Sequence, residues 1–173
     1  MTARNNNKLV KWIKAGLITL ILAIILNTFI FSSSIVEGIS MEPTLKDNDR
    51  ILINKLTYIL SEPNRGDIVI IQHENKNYIK RIIALPGETI EMSDHTLYID
   101  NEEQENTYVN QSDDILTGSF GPLKIADDHY FVMGDNRLVS KDSRNELGLI
   151  KENEIIGKSE FIIYPFDRLK KTK

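Results

Sequence analysis

The sequence predicts a mostly β protein, in which a single N-terminal transmembrane helix precedes an antiparallel, barrel-like β domain. Three observations lead to this prediction. No charged residue occurs from Ala15 to Val36, a stretch long enough to cross the hydrocarbon layer of a membrane as a helix. After it, short runs rich in Ile, Val and Tyr alternate with turn residues, which is typical of β domains. No run of convincing helical length follows residue 36.

The residues before the uncharged stretch predict its orientation. Residues 1–14 contain four basic residues and no acidic residue, and basic flanks stay on the cytoplasmic side of a membrane. We therefore divide the chain into a cytoplasmic basic flank (1–14), a transmembrane signal anchor (15–36) and an extracytoplasmic β domain (37–173). A cleaved signal peptide, with the cut near residues 32–34, and a buried core helix are the alternatives.

The β domain contains several runs that we predict as strands, because β-branched and aromatic residues dominate them. Residues 100–119 are acidic and poor in large apolar side chains, so we expect a loop or a small β excursion there. The basic end of the chain, 168–173, is expected to be solvated, with attraction to a membrane surface as the alternative. The predicted strands are 35–39, 50–55, 67–72, 78–85, 96–100, 129–134 and 160–164.

Composition excludes several classes of site. The chain has no cysteine, which excludes disulfides, a zinc ribbon and a thiol nucleophile. Its net charge of −4 argues against nucleic acid as a partner, because such binding needs a basic surface. The histidines, at positions 73, 95 and 129, match no metal-ligand spacing and no convincing Ser-His-Asp arrangement. We therefore expect no metal site, and lysine becomes the alternative catalytic base.

Lys80 differs from the other lysines in its surroundings. It lies in the apolar run YIKRIIAL, where side chains alternate between the two faces of a strand. Lys80 and Arg81 then point to opposite faces, and at least one of these cations must lie near the core. A desolvated lysine can have a lowered pKa and act as a base, whereas a snorkelling or paired lysine has only a structural role. The residues alone leave both interpretations open.

Two polar segments accompany this strand. In GISMEPTL, Ser40 stands between a predicted strand and a turn fixed by proline. In GDNRLVSKDSR, at 134–144, a polar turn follows an apolar strand. Taken singly, the first segment is a typical turn and the second a typical structural network of Asp and Arg.

Together, five segments resemble the membrane-bound type I signal peptidases, serine proteases with a Ser–Lys dyad, in the small form found in Gram-positive bacteria. They occur in the family's order: the anchor, SMEPTL at 40–45, GDIV at 66–69, the Lys80 strand and GDNR…SKDSR at 134–144. The resemblance implies an endopeptidase that removes signal peptides from secretory preproteins after small residues, at sites of the Ala-x-Ala type. It also implies the lipid membrane as a partner, a functional link to the protein export channel, and chemistry that needs no cofactor.

The resemblance assigns a role to five residues near the reaction. Ser40 is implied to be the nucleophile and Lys80 its general base, a known variant of the catalytic triad. Ser140 matches the position whose hydroxyl orients the lysine. Asp142 and Arg144 match a supporting ion pair.

The resemblance also assigns groups that bind the substrate. The backbone N–H of Ser40 is implied to stabilise the oxyanion. Larger relatives add a hydroxyl where this chain has Gly38, so the second donor is a backbone group or is absent. Val36 and Ile79 match positions that line small pockets, with plain core residues as the alternative.

Two other functions stay open at this point. A self-cleaving repressor shares the Ser–Lys chemistry, but it needs a DNA-binding domain where this chain has an apolar N-terminal segment. The other alternative is a membrane-anchored homologue without catalysis, or an interaction module that binds precursors. The apolar N-terminal segment is compatible with either. Cutting by wild type, and its loss when Ser40 or Lys80 is replaced, would exclude the non-catalytic homologue and the interaction module.

Overall fold

The computed structural model describes residues 3–104 and 117–172. It begins with the helix α1 (Ala3–Ile30) and includes a short helix α2 (Thr57–Leu60). In the part of the chain that is described, no helix has both the length and the hydropathy of a membrane span. The strands are β1 (Phe31–Ile35), β2 (Arg50–Asn54), β3 (Ile68–His73), β4 (Lys76–Ala84), β5 (Thr89–Ser93), β6 (Thr96–Ile99), β7 (Glu102–Gln104), β8 (Phe120–Lys124), β9 (His129–Met133), β10 (Ile150–Lys151), β11 (Ile155–Tyr164) and β12 (Lys170–Lys171).

The uncharged stretch 15–36 is divided between α1 and β1, so the expectation of one continuous helix across it is wrong. Every residue of β1 pairs with a residue of β2 in an antiparallel ladder, from Phe31 with Asn54 to Ile35 with Arg50. This long-range pairing ends the helix at Ile30, because tertiary pairing overrides a local preference.

The predicted strand at 35–39 is also displaced toward the N-terminus. Gly38 has a φ of +83°, which takes the chain out of an extended conformation. The chain therefore leaves the sheet after Ile35 and enters an irregular turn that carries Ser40. The other predicted strands correspond to β2, β3, β4, β6, β9 and the second half of β11.

Two antiparallel sheets make up the β domain, and they do not form a closed barrel. The larger sheet has the order β1-β2-β11-β3-β4-β9-β10, with β12 added to β11, and the smaller has the order β7-β6-β5-β8. In the larger sheet, β1 and β10 stay unpaired with one another at opposite ends of the path. The expectation of a mostly antiparallel β fold is confirmed, and the barrel-like closure is corrected to two open sheets. The segment 100–119, predicted as a loop or a small β excursion, contains β7. Its residues 105–116 lie outside the described part of the chain.

An apolar cluster beneath the irregular turn fixes the position of Ser40. Met41 and Leu45, one turn apart, are 1% and 0% exposed and pack on Ile51 of β2 and Ile162 of β11. Truncation of such buried side chains costs about 2–5 kcal/mol. The residue after Ser40 is therefore held firmly against the larger sheet.

Candidate active site

The turn that carries Ser40 is closed by backbone hydrogen bonds between its ends. The N–H of Val36 donates to the carbonyl of Asp49 at 2.8 Å, and the N–H of Asn48 donates to the carbonyl of Val36 at 2.9 Å. Inside the turn, the N–H of Gly38 donates to Asp47 Oδ1 at 2.7 Å. Gly38 N–H is thus occupied, whereas Ser40 N–H makes no hydrogen bond within the described residues.

Lys80 reaches this turn from β4. Its side chain is buried, with 3% of the residue exposed, and Nζ donates a hydrogen bond of 2.8 Å to Ser40 Oγ. No carboxylate lies within ion-pair distance of Lys80 in the parts of the chain that are described. The structure therefore brings together the two residues to which the sequence assigns nucleophile and base.

Burial lowers the pKa of Lys80 from 10.5 to about 8, because the charged amine loses its hydration. The negative charges of Asp142 and Asp135 oppose this change, and the positive charge of Arg144 adds to it. With a pKa near 8, a substantial fraction of the amine is neutral in mildly alkaline solution. A neutral amine has a lone pair that can accept the proton of an adjacent hydroxyl.

Arg81, the next residue in β4, has a different environment. It is fully buried, and its Nε and Nη2 donate to the two carboxylate oxygens of Asp135 at 2.8 and 2.6 Å. A third bond, of 2.8 Å, joins Nη1 to the carbonyl of Gly66. The sequence analysis missed this pair, although an arginine in an apolar strand is itself a signal that a buried carboxylate must exist.

The segment after β9 approaches Ser40 closely at Gly134. A side chain at this glycine would collide with the carbonyl of Ser40 and with the hydroxyl of Ser140. Two residues further on, the N–H of Asn136 donates to the Ser40 carbonyl at 3.1 Å. Gly134 therefore lets the two segments meet, and Asn136 holds the backbone of Ser40 in place.

Ser140 and Asp142 are both buried in the same segment. Within the described residues, Ser140 Oγ makes no hydrogen bond of good geometry, and the Lys80 amine is bonded to Ser40 instead. Burial favours a raised pKa for Asp142. Bonds of 2.8 Å from Arg144 and one of 3.0 Å from the N–H of Gly134 outweigh burial, as does the nearby Ser140 hydroxyl, so that its pKa is lowered.

A groove of about 440 Å³ opens beside the Ser40 hydroxyl and the Lys80 amine. One wall comes from the chain between β1 and Met41, and the other comes from the first half of β4. Its apolar lining includes Val36, Met41, Ile70 and Ile79. Both residues that the sequence assigned to pockets therefore line this groove, and Val36 is also part of the core cluster.

A larger cavity, of about 670 Å³, lies elsewhere and contains none of the motif residues. Its lining includes His129, whose Nδ1 lies 2.8 Å from the carbonyl of Asp127. His73 pairs with Glu154 at 2.6 Å. In the described part of the chain, no three His, Asp or Glu side chains are grouped as metal ligands.

Comparison with known proteins agrees with the site geometry. The family model described as "Signal peptidase, peptidase S26" matches residues 9–164. The chain belongs to this family. It is 43% identical to a signal peptidase I of Bacillus licheniformis, over 99% of this chain and 97% of that protein. It is 44% identical to signal peptidase I T of Bacillus subtilis, over 98% of this chain and 93% of that protein.

A solved structure of the signal peptidase family is also similar. The crystal structure of a signal peptidase I from Enterococcus faecalis matches with a TM-score of 0.50 and 31% identity, over 57% of this chain and 97% of that chain. The resemblance inferred from the sequence motifs is thereby confirmed. The prediction that the chain is an enzyme, a serine endopeptidase, is confirmed with it.

Proposed function

We propose that this protein is a membrane-anchored signal peptidase that uses Ser40 as nucleophile and Lys80 as general base. The contact that carries the proposal is the 2.8 Å separation between Lys80 Nζ and Ser40 Oγ, with the amine buried. A hydroxyl beside a desolvated amine is a nucleophile beside a base, the arrangement that nucleophilic catalysis requires.

The proposed reaction uses only these two side chains, backbone donors and water. Neutral Lys80 accepts the Ser40 proton while Oγ attacks the scissile carbonyl, and the resulting ammonium then protonates the departing amine. The acyl-enzyme is hydrolysed by water, which Lys80 deprotonates in the same way. The N–H of Ser40 is the donor available to the oxyanion, since Gly38 N–H is bonded to Asp47.

Ser140, Asp142 and Arg144 support the base in this proposal. The Ser140 hydroxyl lies against Gly134, close to the Ser40 carbonyl, and in this proposal it orients the Lys80 amine. Arg144 keeps Asp142 ionised and bonded. Asp142 in turn holds the N–H of Gly134 at 3.0 Å.

The substrate is an extended peptide that adds to free strand edges. Residues 76–80 of β4 pair with β3 on one side, and pairing with β9 on the other side begins only at Arg81. β1 is likewise an edge strand. A peptide between these edges gains backbone hydrogen bonds from strand addition, and Val36 and Ile79 in the groove contact small side chains next to the cut bond.

Membrane anchoring rests on the N-terminal segment. The apolar side chains of α1 between Val10 and Ile24 are largely exposed, among them Trp12 (78%) and Ile18 (65%). The hydroxyl of Thr19 is satisfied within the helix, by the carbonyl of Ala15 at 2.9 Å. Exposed apolar side chains on a helix with internal polar bonds suit a lipid environment. Ser40 then lies within about ten residues of the bilayer, where the cut site of a preprotein is also found.

Cleavage of a precursor by the full chain in detergent tests the proposal. The substrate is a secretory preprotein with an Ala-x-Ala site, and mass spectrometry identifies the new N-terminus. We expect wild type to cut after the second alanine, and Ser40→Ala and Lys80→Met to be inactive. Ser93→Ala and Lys124→Met, outside the site, serve as matched controls that retain activity. Equal cutting by Ser40→Ala and wild type would refute the nucleophile, and binding of the precursor without cutting would favour the interaction module.

A further inference from the structure

The turn that carries Ser40 contains no helix or strand from Val36 to Asp49. Its position relative to β4 depends on the backbone bond from Asn136 to Ser40, on the buried side chains of Met41 and Leu45, and on further contacts of side chains. The N–H of Lys46 donates to the carboxylate of Asp49 at 2.8 Å, which folds the end of the turn on itself.

The C-terminal segment supplies a tether from outside the turn. A 3₁₀ helix (Phe166–Arg168) follows β11, and β12 then folds back on β11. Thr172 Oγ1 donates to the carbonyl of Ser159 at 2.6 Å and holds the end of this C-terminal segment against β11. Arg168 is thereby directed at the Ser40 turn, so the expectation that residue 168 is solvated is wrong.

Arg168 contacts the turn at two points. Its Nη2 donates to the carbonyl of Thr44 at 3.3 Å, and its Nη1 lies 3.1 Å from Asp49 Oδ2, an ionic contact rather than an aligned hydrogen bond. The side chains of Arg168 and Asp49 are 18% and 2% exposed, so water screens the contact little. A planar guanidinium can hold a carbonyl and a carboxylate at once, which an ammonium cannot do with the same geometry.

A second guanidinium holds the turn from the side of the base. Arg81 Nη2 lies 3.4 Å from Thr44 Oγ1, so Thr44 is held through its carbonyl by one arginine and through its hydroxyl by another. Arg81 also follows Lys80 directly in β4. Both arginines thus contact Thr44, in addition to the backbone bond from Asn136 to Ser40 and the buried side chains of Met41 and Leu45.

We propose that Arg168 is a positioning residue for the cleavage reaction, holding the turn through Thr44 and Asp49 so that Ser40 Oγ stays within bonding distance of Lys80 Nζ. The inference rests on the proposed function, in which these two groups react. Misplacement of a reacting group by about 1 Å can cost about a hundredfold in rate. Loss of the tether thus lowers the rate of the chemical step without removing any group that touches the substrate.

Steady-state kinetics of Arg168→Gln in the full chain tests this inference, with a precursor peptide as substrate. Activity is expressed per folded molecule, with the folded fraction taken from circular dichroism at the assay temperature. We expect kcat to fall about tenfold or more while KM stays within about twofold. Arg168→Lys, which keeps the charge near Asp49, should recover part of the loss.

Arg65→Gln is the matched control, because Arg65 also bonds one carbonyl and one carboxylate, those of Ile83 and Glu88, outside the Ser40 turn. We expect its kcat per folded molecule to equal that of wild type. Arg168→Gln and Asp49→Asn combined should lower kcat by less than the product of their separate effects, because they act through one contact.

The possible results separate this inference from the proposed function. An unchanged kcat per folded molecule in Arg168→Gln, or an equal decrease in Arg65→Gln, overturns the positioning role alone. If Arg168→Gln does not fold, kcat is measured in Arg168→Lys and Asp49→Asn instead. A wild-type kcat in both of these variants overturns the positioning role. If wild type cuts no precursor, the proposed function fails and this inference falls with it.

Discussion

Lys80 and Arg81 are consecutive residues of β4 and both are buried, and Arg81 is bound to the carboxylate of Asp135. Among the described residues, the amine of Lys80 has no carboxylate within ion-pair distance and bonds to the hydroxyl of Ser40. An unpaired buried amine favours its neutral form. The strand thus keeps one cation charged for structure and leaves the other available as a base.

The acid limb of the pH–rate profile follows from this difference. Because burial lowers the pKa of Lys80 to about 8, the fraction of neutral base falls about tenfold per unit below that pH. We expect kcat/KM of the free enzyme to rise through a midpoint near pH 8 and to level off above it. Initial rates of precursor cleavage between pH 6 and 10 measure this. A profile that is flat across that range is incompatible with Lys80 as the base.

Replacement of Lys80 by methionine should stabilise the fold at neutral pH. The folded-state pKa of Lys80, about 8, lies below the ordinary lysine value of 10.5, so the unfolded chain binds more protons between these pH values. The free energy of unfolding of wild type therefore rises with pH over this window. Lys80→Met should be more stable than wild type by up to about 3 kcal/mol at pH 7, and the difference should shrink toward pH 10.5.

Urea denaturation of both proteins at several pH values measures this difference in stability. Lys124→Met, at an exposed lysine of β8, should differ little from wild type at any of these pH values. A Lys80→Met protein that is less stable than wild type at pH 7 would show that the amine is well solvated.

Removal of the negative charge that compensates Arg81 should lower the stability of the fold. In Asp135→Asn, a guanidinium with no exposed surface keeps its charge without a carboxylate. We expect a loss of about 3–5 kcal/mol in the free energy of unfolding. Glu146→Gln breaks the exposed pair between Glu146 and Lys141, whose side chains are 58% and 64% exposed, and should cost far less because water screens the two charges. Similar losses of stability in Asp135→Asn and Glu146→Gln would argue against a buried charge on Arg81.

A methyl group at Gly134 should impair catalysis. Gly134→Ala places Cβ against the carbonyl of Ser40 and the hydroxyl of Ser140, so the segments must separate. We expect a decrease of about a hundredfold in kcat and a loss of about 1–3 kcal/mol in stability. Gly118→Ala is the control, because no atom of the described residues lies within 4 Å of its added Cβ. Wild-type kcat in Gly134→Ala would mean that the two segments can move apart without consequence.

The sequence motifs singled out Ser40 and Lys80, which the structure brings within 2.8 Å of each other, but they did not reveal the long-range contacts around them. Ser40 and Lys80 stand in local patterns, a proline-fixed turn and an apolar strand, that are visible in the chain. The pairing of Arg81 with Asp135 joins residues 54 positions apart, and no local pattern encodes it. The approach of Arg168 to Thr44 depends on how the C-terminus folds back, a long-range arrangement of the same kind.

Errors in the predicted fold have similar causes. β1 follows α1 in one uncharged stretch, and only the ladder with β2 separates strand from helix there. β8 was missed because it contains Gly121 and Pro122, residues that weaken a strand assignment. It lies at the edge of the smaller sheet, the position at which proline is tolerated. Closure of a barrel likewise depends on pairing between distant strands, which strand patterns do not reveal.

The most direct test of the account is an NMR titration of the Lys80 amine in the full chain, with lysine labelled at ¹³Cε. The Lys80 signal is assigned by its absence from Lys80→Arg, and the exposed lysines provide internal references. We expect the Lys80 signal to titrate with a pKa of about 8. A pKa near 10.5 would contradict the role of Lys80 as the base, because the amine would then be charged and hydrated beside Ser40.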